Sequence, residues 1–93
     1  MARWNLLTNH GAVLAYVAQH PEVTAVEISA ELDITERSVR RIIADLVAAD
    51  YLKKKKIGRV NRYGVNYRKP LRRPSHSTAD VGSLLRAIAR EAE

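Results

Sequence analysis

"ITERSVRRIIADL" (residues 34–46) sets apolar side chains at helical spacing and threads three arginines between them. Val39, Ile42, Ile43 and Leu46 follow the i, i+3, i+4, i+7 rule, the mark of a helix with one buried face. At roughly 100° per residue, Arg37, Arg41, Ala44 and Ala48 project to the opposite side, with Arg40 on the flank. Thr35 suits the N-cap, and Glu36 complements the positive end of the helix dipole. The arginines cannot be buried, so they form either a solvated face or a binding face.

Toward the N-terminus, Thr24 with Glu27 three residues later predicts a capping box, and Ala25, Ile28 and Leu32 then share one helical face. Asp33 interrupts that helix with a residue that tolerates the left-handed conformation of a tight turn. An earlier helix is predicted over 8–20, capped by Thr8, striped by Val13, Leu14 and Val17, and stopped by Pro21. Toward the C-terminus, "YLKKKKIGRVNRYGVNYR" (residues 51–68) changes period. Tyr63, Val65 and Tyr67 alternate with Arg62, Gly64, Asn66 and Arg68, and Gly58 divides two β-compatible runs. This predicts a hairpin with a basic tip around 58–61. "KPLRRPSHS" reads as an irregular connector. "TADVGSLLRAIAREAE" reads as a helix capped by Ser77 or Thr78, with Asp80 in its first turn and an apolar stripe of Val81, Leu84, Leu85 and Ile88. The predicted fold is mainly α (α+β): a winged helix-turn-helix, with a three-helix core followed by a two-stranded β-hairpin wing and a C-terminal helix.

Composition agrees with one small soluble domain. The 93 residues are 46% apolar and 28% charged, and no cysteine is present, which excludes disulfides and thiolate metal sites. No apolar run approaches the ~20 residues that span a bilayer. The first residues lack the apolar core of a secretory signal, so the expected location is cytoplasmic, associated with the nucleoid. Charge is unevenly placed. Residues 34–73 hold 13 Lys/Arg against three Asp/Glu, a net of +10, while the rest of the chain nets −4. Such asymmetry is the footprint of a protein that meets a polyanion, nucleic acid first and an anionic membrane surface second.

Ile28, Leu32, Ile34, Val39 and Ile42 fill the apolar offsets of a helix-turn-helix, and Ser29 supplies its small residue. With "ITER…V", "RIIADL", "YL" and "GR-NRY", the chain from about residue 6 to 88 resembles small prokaryotic winged-helix transcriptional regulators of the MarR/ArsR-like kind. Two features depart from that pattern. Asp33 stands where glycine is frequent, and the lysines at 53–56 replace a strand of mixed charge.

The resemblance implies sequence-specific binding to double-stranded DNA, with a recognition helix over about 35–49 in the major groove. Arg37 and Arg41, one turn apart, are placed to reach base edges, and Arg40 to reach phosphate. Thr35 and Ser38, at the helix start, offer hydroxyls and backbone N–H groups suited to phosphate. Ala44 is small enough for close approach. In the wing, over about 57–62, Arg59, Asn61 and Arg62 would track phosphates or enter a minor groove. Lys55 and its neighbours either grip phosphate or merely protect an edge strand. The domain organisation expected is a DNA-binding unit over 1–68, a connector over 69–77 and a C-terminal helix over 78–93. That last helix either closes its own core or builds a homodimer. A homodimer would pair Trp4, Leu6 and Leu7 with Val81, Leu84, Leu85 and Ile88 and would favour a pseudo-palindromic site.

No cofactor is expected. His10, His20 and His76 share no metal-ligand spacing, and "SHS" around His76 has nothing to orient it as a nucleophile and base. Enzyme activity is not expected. Two other readings remain: a winged-helix module for protein partners, and an architectural DNA- or RNA-binding protein of low sequence preference. The basic helix and wing together count against the first, and Arg37 and Arg41 count against the second.

Overall fold

The computed structural model describes residues 7–70 and 80–92. In chain order its elements are α1 (Asn9–Gln19), α2 (Ala25–Leu32), α3 (Glu36–Ala48), β1 (Leu52–Ile57), β2 (Val60–Val65) and α4 (Val81–Ala92). This is the predicted winged helix-turn-helix. Local chemistry sets the first three helix starts as expected. Thr8, Thr24 and Thr35 each have extended backbone angles and accept an N–H bond through the side-chain hydroxyl. At Thr24 the box is reciprocal: Glu27 N–H donates to Thr24 Oγ1 at 3.1 Å, and Thr24 N–H to Glu27 Oε1 at 3.4 Å.

Two aspartates in left-handed conformation bracket the third helix. Asp33 (φ 54°) makes the turn between α2 and α3, and Ile34 N–H returns to the Ser29 carbonyl at 3.2 Å. Asp50 (φ 66°) ends α3: its own N–H bonds Val47 O at 3.1 Å and Tyr51 N–H bonds Leu46 O at 2.8 Å. That pair of bonds is a Schellman motif, here with aspartate where glycine is commonest.

Val13, Leu14 and Val17 of α1, Ile28 of α2, and Val39, Ile42, Ile43 and Leu46 of α3 are buried together with Tyr51 and Leu52. Removing such a cluster from water is the main source of stability in a chain this short. The hairpin is antiparallel, in register from Leu52 opposite Val65 to Ile57 opposite Val60. Its base joins the core through Leu52, while β2 is stitched to the α1–α2 turn by Tyr63 N–H to Pro21 O at 2.9 Å.

The C-terminal helix differs from expectation in its start. It begins at Val81, and Asp80 is itself the cap: its carboxylate accepts Ser83 N–H at 2.8 Å and Ser83 O–H at 2.9 Å. Those bonds, with Arg86 nearby, hold the Asp80 carboxyl below its usual range. Ser77 and Thr78 lie outside the described residues. Val81 N–H donates to Lys69 O and Gly82 N–H to Tyr67 O, each at 2.8 Å, so α4 starts against the segment that leaves the wing. A Cβ on Gly82 would come within 3.1 Å of the Tyr67 carbonyl oxygen, which explains glycine there. Tyr67, expected in alternation on the same side as Tyr63 and Val65, lies beyond β2 and is 50% exposed. The strand period does not carry past Val65, so alternation no longer governs its orientation.

Candidate nucleic-acid interface

Helix α3 is strongly two-sided. Val39, Ile42, Ile43 and Leu46 are buried, whereas Arg37, Arg41, Ala44 and Ala48 are exposed along the opposite face. The apolar row fixes the rotation of the helix, and the rotation aims the arginines. Arg37 and Arg41 take part in no ion pair among the described residues. Arg40, on the flank, is paired with Glu36 one turn earlier. The i, i+4 order, carboxylate first, is the favourable one, and it was readable from the sequence.

At the start of α3, Thr35 and Ser38 are engaged with each other. Thr35 Oγ1 accepts Ser38 N–H at 3.1 Å, and its hydroxyl donates to Ser38 Oγ at 2.8 Å. The Ser38 N–H is thereby taken up as a cap bond.

The wing presents charge on two faces. Register puts Lys53, Lys55 and Arg62 on the outer face, and Lys54, Lys56, Asn61 and Tyr63 on the face turned toward α3. All four lysines are exposed. At the tip Gly58 has φ 62° and Arg59 is not left-handed, the pattern of a two-residue type II′ turn led by glycine. Arg59 is exposed at that tip. Asn61 is half-buried, and Arg62 lies 3.6 Å from Glu22 of the α1–α2 turn. Between wing and α3 runs a cleft of about 660 Å³, whose lining includes Val26, Arg40, Ala44, Val47, Lys54 and Asn61. Burial beside this cleft pushes the Tyr63 hydroxyl above its ordinary range, opposed by a hydrogen bond from Asn61 and by the Arg40 charge.

One contact was not foreseen. His10, in the first turn of α1, places Nε2 2.8 Å from Asp45 Oδ2 on the flank of α3. The two residues stand 35 apart in sequence, and no local pattern pairs them.

The residues expected at a dimer interface divide. Val81 and Leu85 are 1% and 7% exposed and belong to the chain's own core. Leu84, Ile88 and Leu7 are half-buried. Trp4 and Leu6 lie outside the described residues. Among the described residues, no three His, Cys, Asp or Glu side chains gather as a metal site requires, and no helix is long and apolar enough to cross a membrane.

No curated protein matches the sequence. Among solved structures, the chain is similar to Staphylococcus aureus MarR in complex with salicylate and kanamycin. The TM-score is 0.59 at 15% identity, covering 95% of this chain and 55% of that one. It is also similar to a mutant MepR from a multidrug-resistant S. aureus clinical isolate. There the TM-score is 0.58 at 17% identity, covering 91% and 58%. The zinc-dependent MarR-family transcriptional regulator AdcR in its Zn(II)-bound state gives 0.51 at 22% identity, covering 70% and 47%. The chain thus spans about half the length of these proteins. At such identities the likeness is one of fold, whereas a sequence model of the MarR family matches residues 4–62 directly, across helices α1 to α3 and most of the wing. The chain belongs to the MarR family of winged-helix transcriptional regulators.

Proposed function

We propose that this chain is a sequence-specific DNA-binding regulator whose helix α3 enters the major groove while the wing lies on the adjacent backbone or minor groove. The observation that carries this reading is the pairing of two surfaces. An exposed row of Arg37, Arg41, Ala44 and Ala48 stands on a rigidly anchored helix, beside a hairpin with four exposed lysines and Arg59 at its tip. Arginine pairs bidentately with guanine O6 and N7, and a small residue such as Ala44 permits close approach. Arg40 and Arg62 already meet Glu36 and Glu22, so phosphate is the partner that suits them, reached by exchanging an exposed carboxylate. Thr35 and Ser38, bonded to each other at the start of α3, are assigned to phosphate through their hydroxyls. Lys55, opposite Arg62 on the outer wing face, adds a sequence-independent grip.

Selection from a random duplex library, followed by titration at two salt concentrations, tests the proposal. Enrichment of a motif with affinity above bulk DNA supports it. Binding without enrichment assigns the chain to the architectural class, and no binding leaves a module for protein partners.

The reading includes a homodimer, as two-fold operators of such regulators require. Of the apolar stripe on α4, Leu84 and Ile88 have surface left to contribute, together with Leu7. Leu84→Glu should shift the mass in solution from dimer to monomer, measured by light scattering. A wild-type chain that is monomeric at high concentration overturns the dimer.

A further inference from the structure

Asp45 stands one helical turn after Arg41 on the same side of α3. Residues four apart on a helix are surface neighbours, and a carboxylate there draws a guanidinium to itself. The other flank of α3 shows such a pair in the carboxylate-first order, Glu36 with Arg40; at Arg41 and Asp45 the order is reversed and the attraction weaker, though of the same sign. Asp45, however, is held by His10 from α1 at 2.8 Å, and no ion pair among the described residues involves Arg41.

We infer that His10 is a positioning residue for the DNA-reading face: by holding Asp45, it leaves the Arg41 guanidinium free to point outward. The inference rests on the DNA-binding reading above and deepens it. A purely structural role for the contact is a poor explanation. Helices α1 and α3 are already joined through buried Val13, Leu14, Val17, Val39, Ile42 and Leu46. A hydrogen-bonded contact between side chains that are 47% and 54% exposed adds little to such a junction. What the contact does control is the direction taken by a carboxylate beside the arginine that reads bases. Without His10, Asp45 would compete with DNA for Arg41.

The two partners therefore have opposite expected effects. His10→Ala releases the carboxylate and should weaken binding to the selected duplex by about twofold, the factor commanded by one surface i, i+4 pair. His10→Gln retains an N–H donor for Asp45 and should bind as the wild type does. Asp45→Asn removes the competing charge and should bind as tightly as wild type or up to about twofold more tightly. The double variant His10→Ala/Asp45→Asn should follow Asp45→Asn, and His10→Ala should have no effect in an Arg41→Ala background. Fluorescence anisotropy reads all of these, with thermal unfolding as the check on folding.

Equal losses from His10→Ala and Asp45→Asn would mark a mere clasp and overturn the inference. So would a loss confined to Asp45→Asn, which would place that carboxylate on the DNA, or a His10→Ala chain that does not fold. Failure of the underlying reading shows separately, as a wild-type chain that selects no duplex, and the inference falls with it.

Discussion

Helix α3 carries its arginines on the back of a buried face, whereas the hairpin carries its lysines on two faces that both meet solvent beyond Leu52. In the helix, four buried side chains fix the rotation, and each arginine inherits a defined direction. In the hairpin, the base is held by Leu52, by Tyr63 N–H on Pro21 O and by Asn66 Nδ2 on the Asp50 carbonyl, with an exposed Arg62–Glu22 pair beside them. The two six-residue strands run outward to Gly58 and Arg59, with Ile57 and Val60 about half exposed. The same kind of charge is thus rigidly aimed in one region and loosely aimed in the other. Reading bases demands fixed geometry, and gripping phosphate demands only charge within reach.

The largest test of that contrast concerns stability. Ile42→Ala removes a side chain that is 3% exposed and should cost about 2–5 kcal/mol of unfolding free energy. Ile57→Ala removes one that is 53% exposed and should cost about 0.5 kcal/mol or less. Urea unfolding followed by circular dichroism measures both. Comparable losses would mean that the wing packs as tightly as the helix, and the contrast would fail.

Next in size is specific recognition. Arg41→Ala should lower affinity for the selected duplex by about 1–3 kcal/mol and relax the preference at one base position. A uniform loss across sequences would transfer Arg41 to the phosphates. The wing counterpart is Lys55→Ala, expected to reduce the dependence of log K on log salt by about 0.9 while leaving base preference intact. An unchanged slope removes Lys55 from the interface.

What could be read from the sequence follows the same division. The helix faces and caps were legible, because Val39, Ile42, Ile43 and Leu46 repeat within a few residues and each threonine caps its own neighbours. The hairpin was legible through Gly58, whose positive φ the turn requires. The left-handed Asp50 was not marked as a cap, since aspartate there differs from the glycine that usually signals a Schellman turn. Contacts between elements were silent. Nothing local ties His10 to Asp45, or Arg62 to Glu22, and nothing local divides the α4 stripe into buried Val81 and Leu85 and half-exposed Leu84 and Ile88. Those assignments depend on which element packs against which. The charge of residues 34–73 announced a polyanion, but the engagement of Arg62 by Glu22 is tertiary, unlike the local pair of Arg40 with Glu36.

The smallest expected effect is the one that compares an engaged arginine of the wing with the free arginines of α3. Arg62 lies 3.6 Å from Glu22, in a pair whose side chains are 57% and 63% exposed. Pairs of this kind contribute about 0–1 kcal/mol, so their loss scarcely touches stability. Glu22→Gln should therefore leave the unfolding midpoint within error, yet release Arg62 and remove one negative charge beside the wing. DNA affinity should rise by about twofold, with a steeper salt dependence as Arg62 gains a phosphate. If affinity rises but the salt slope does not, the gain comes from charge at a distance, and Arg62 remains a wing anchor. If affinity falls, Glu22 is needed to hold the wing in place. The hairpin then depends on fixed geometry as α3 does, and the contrast between the two regions narrows to their packing.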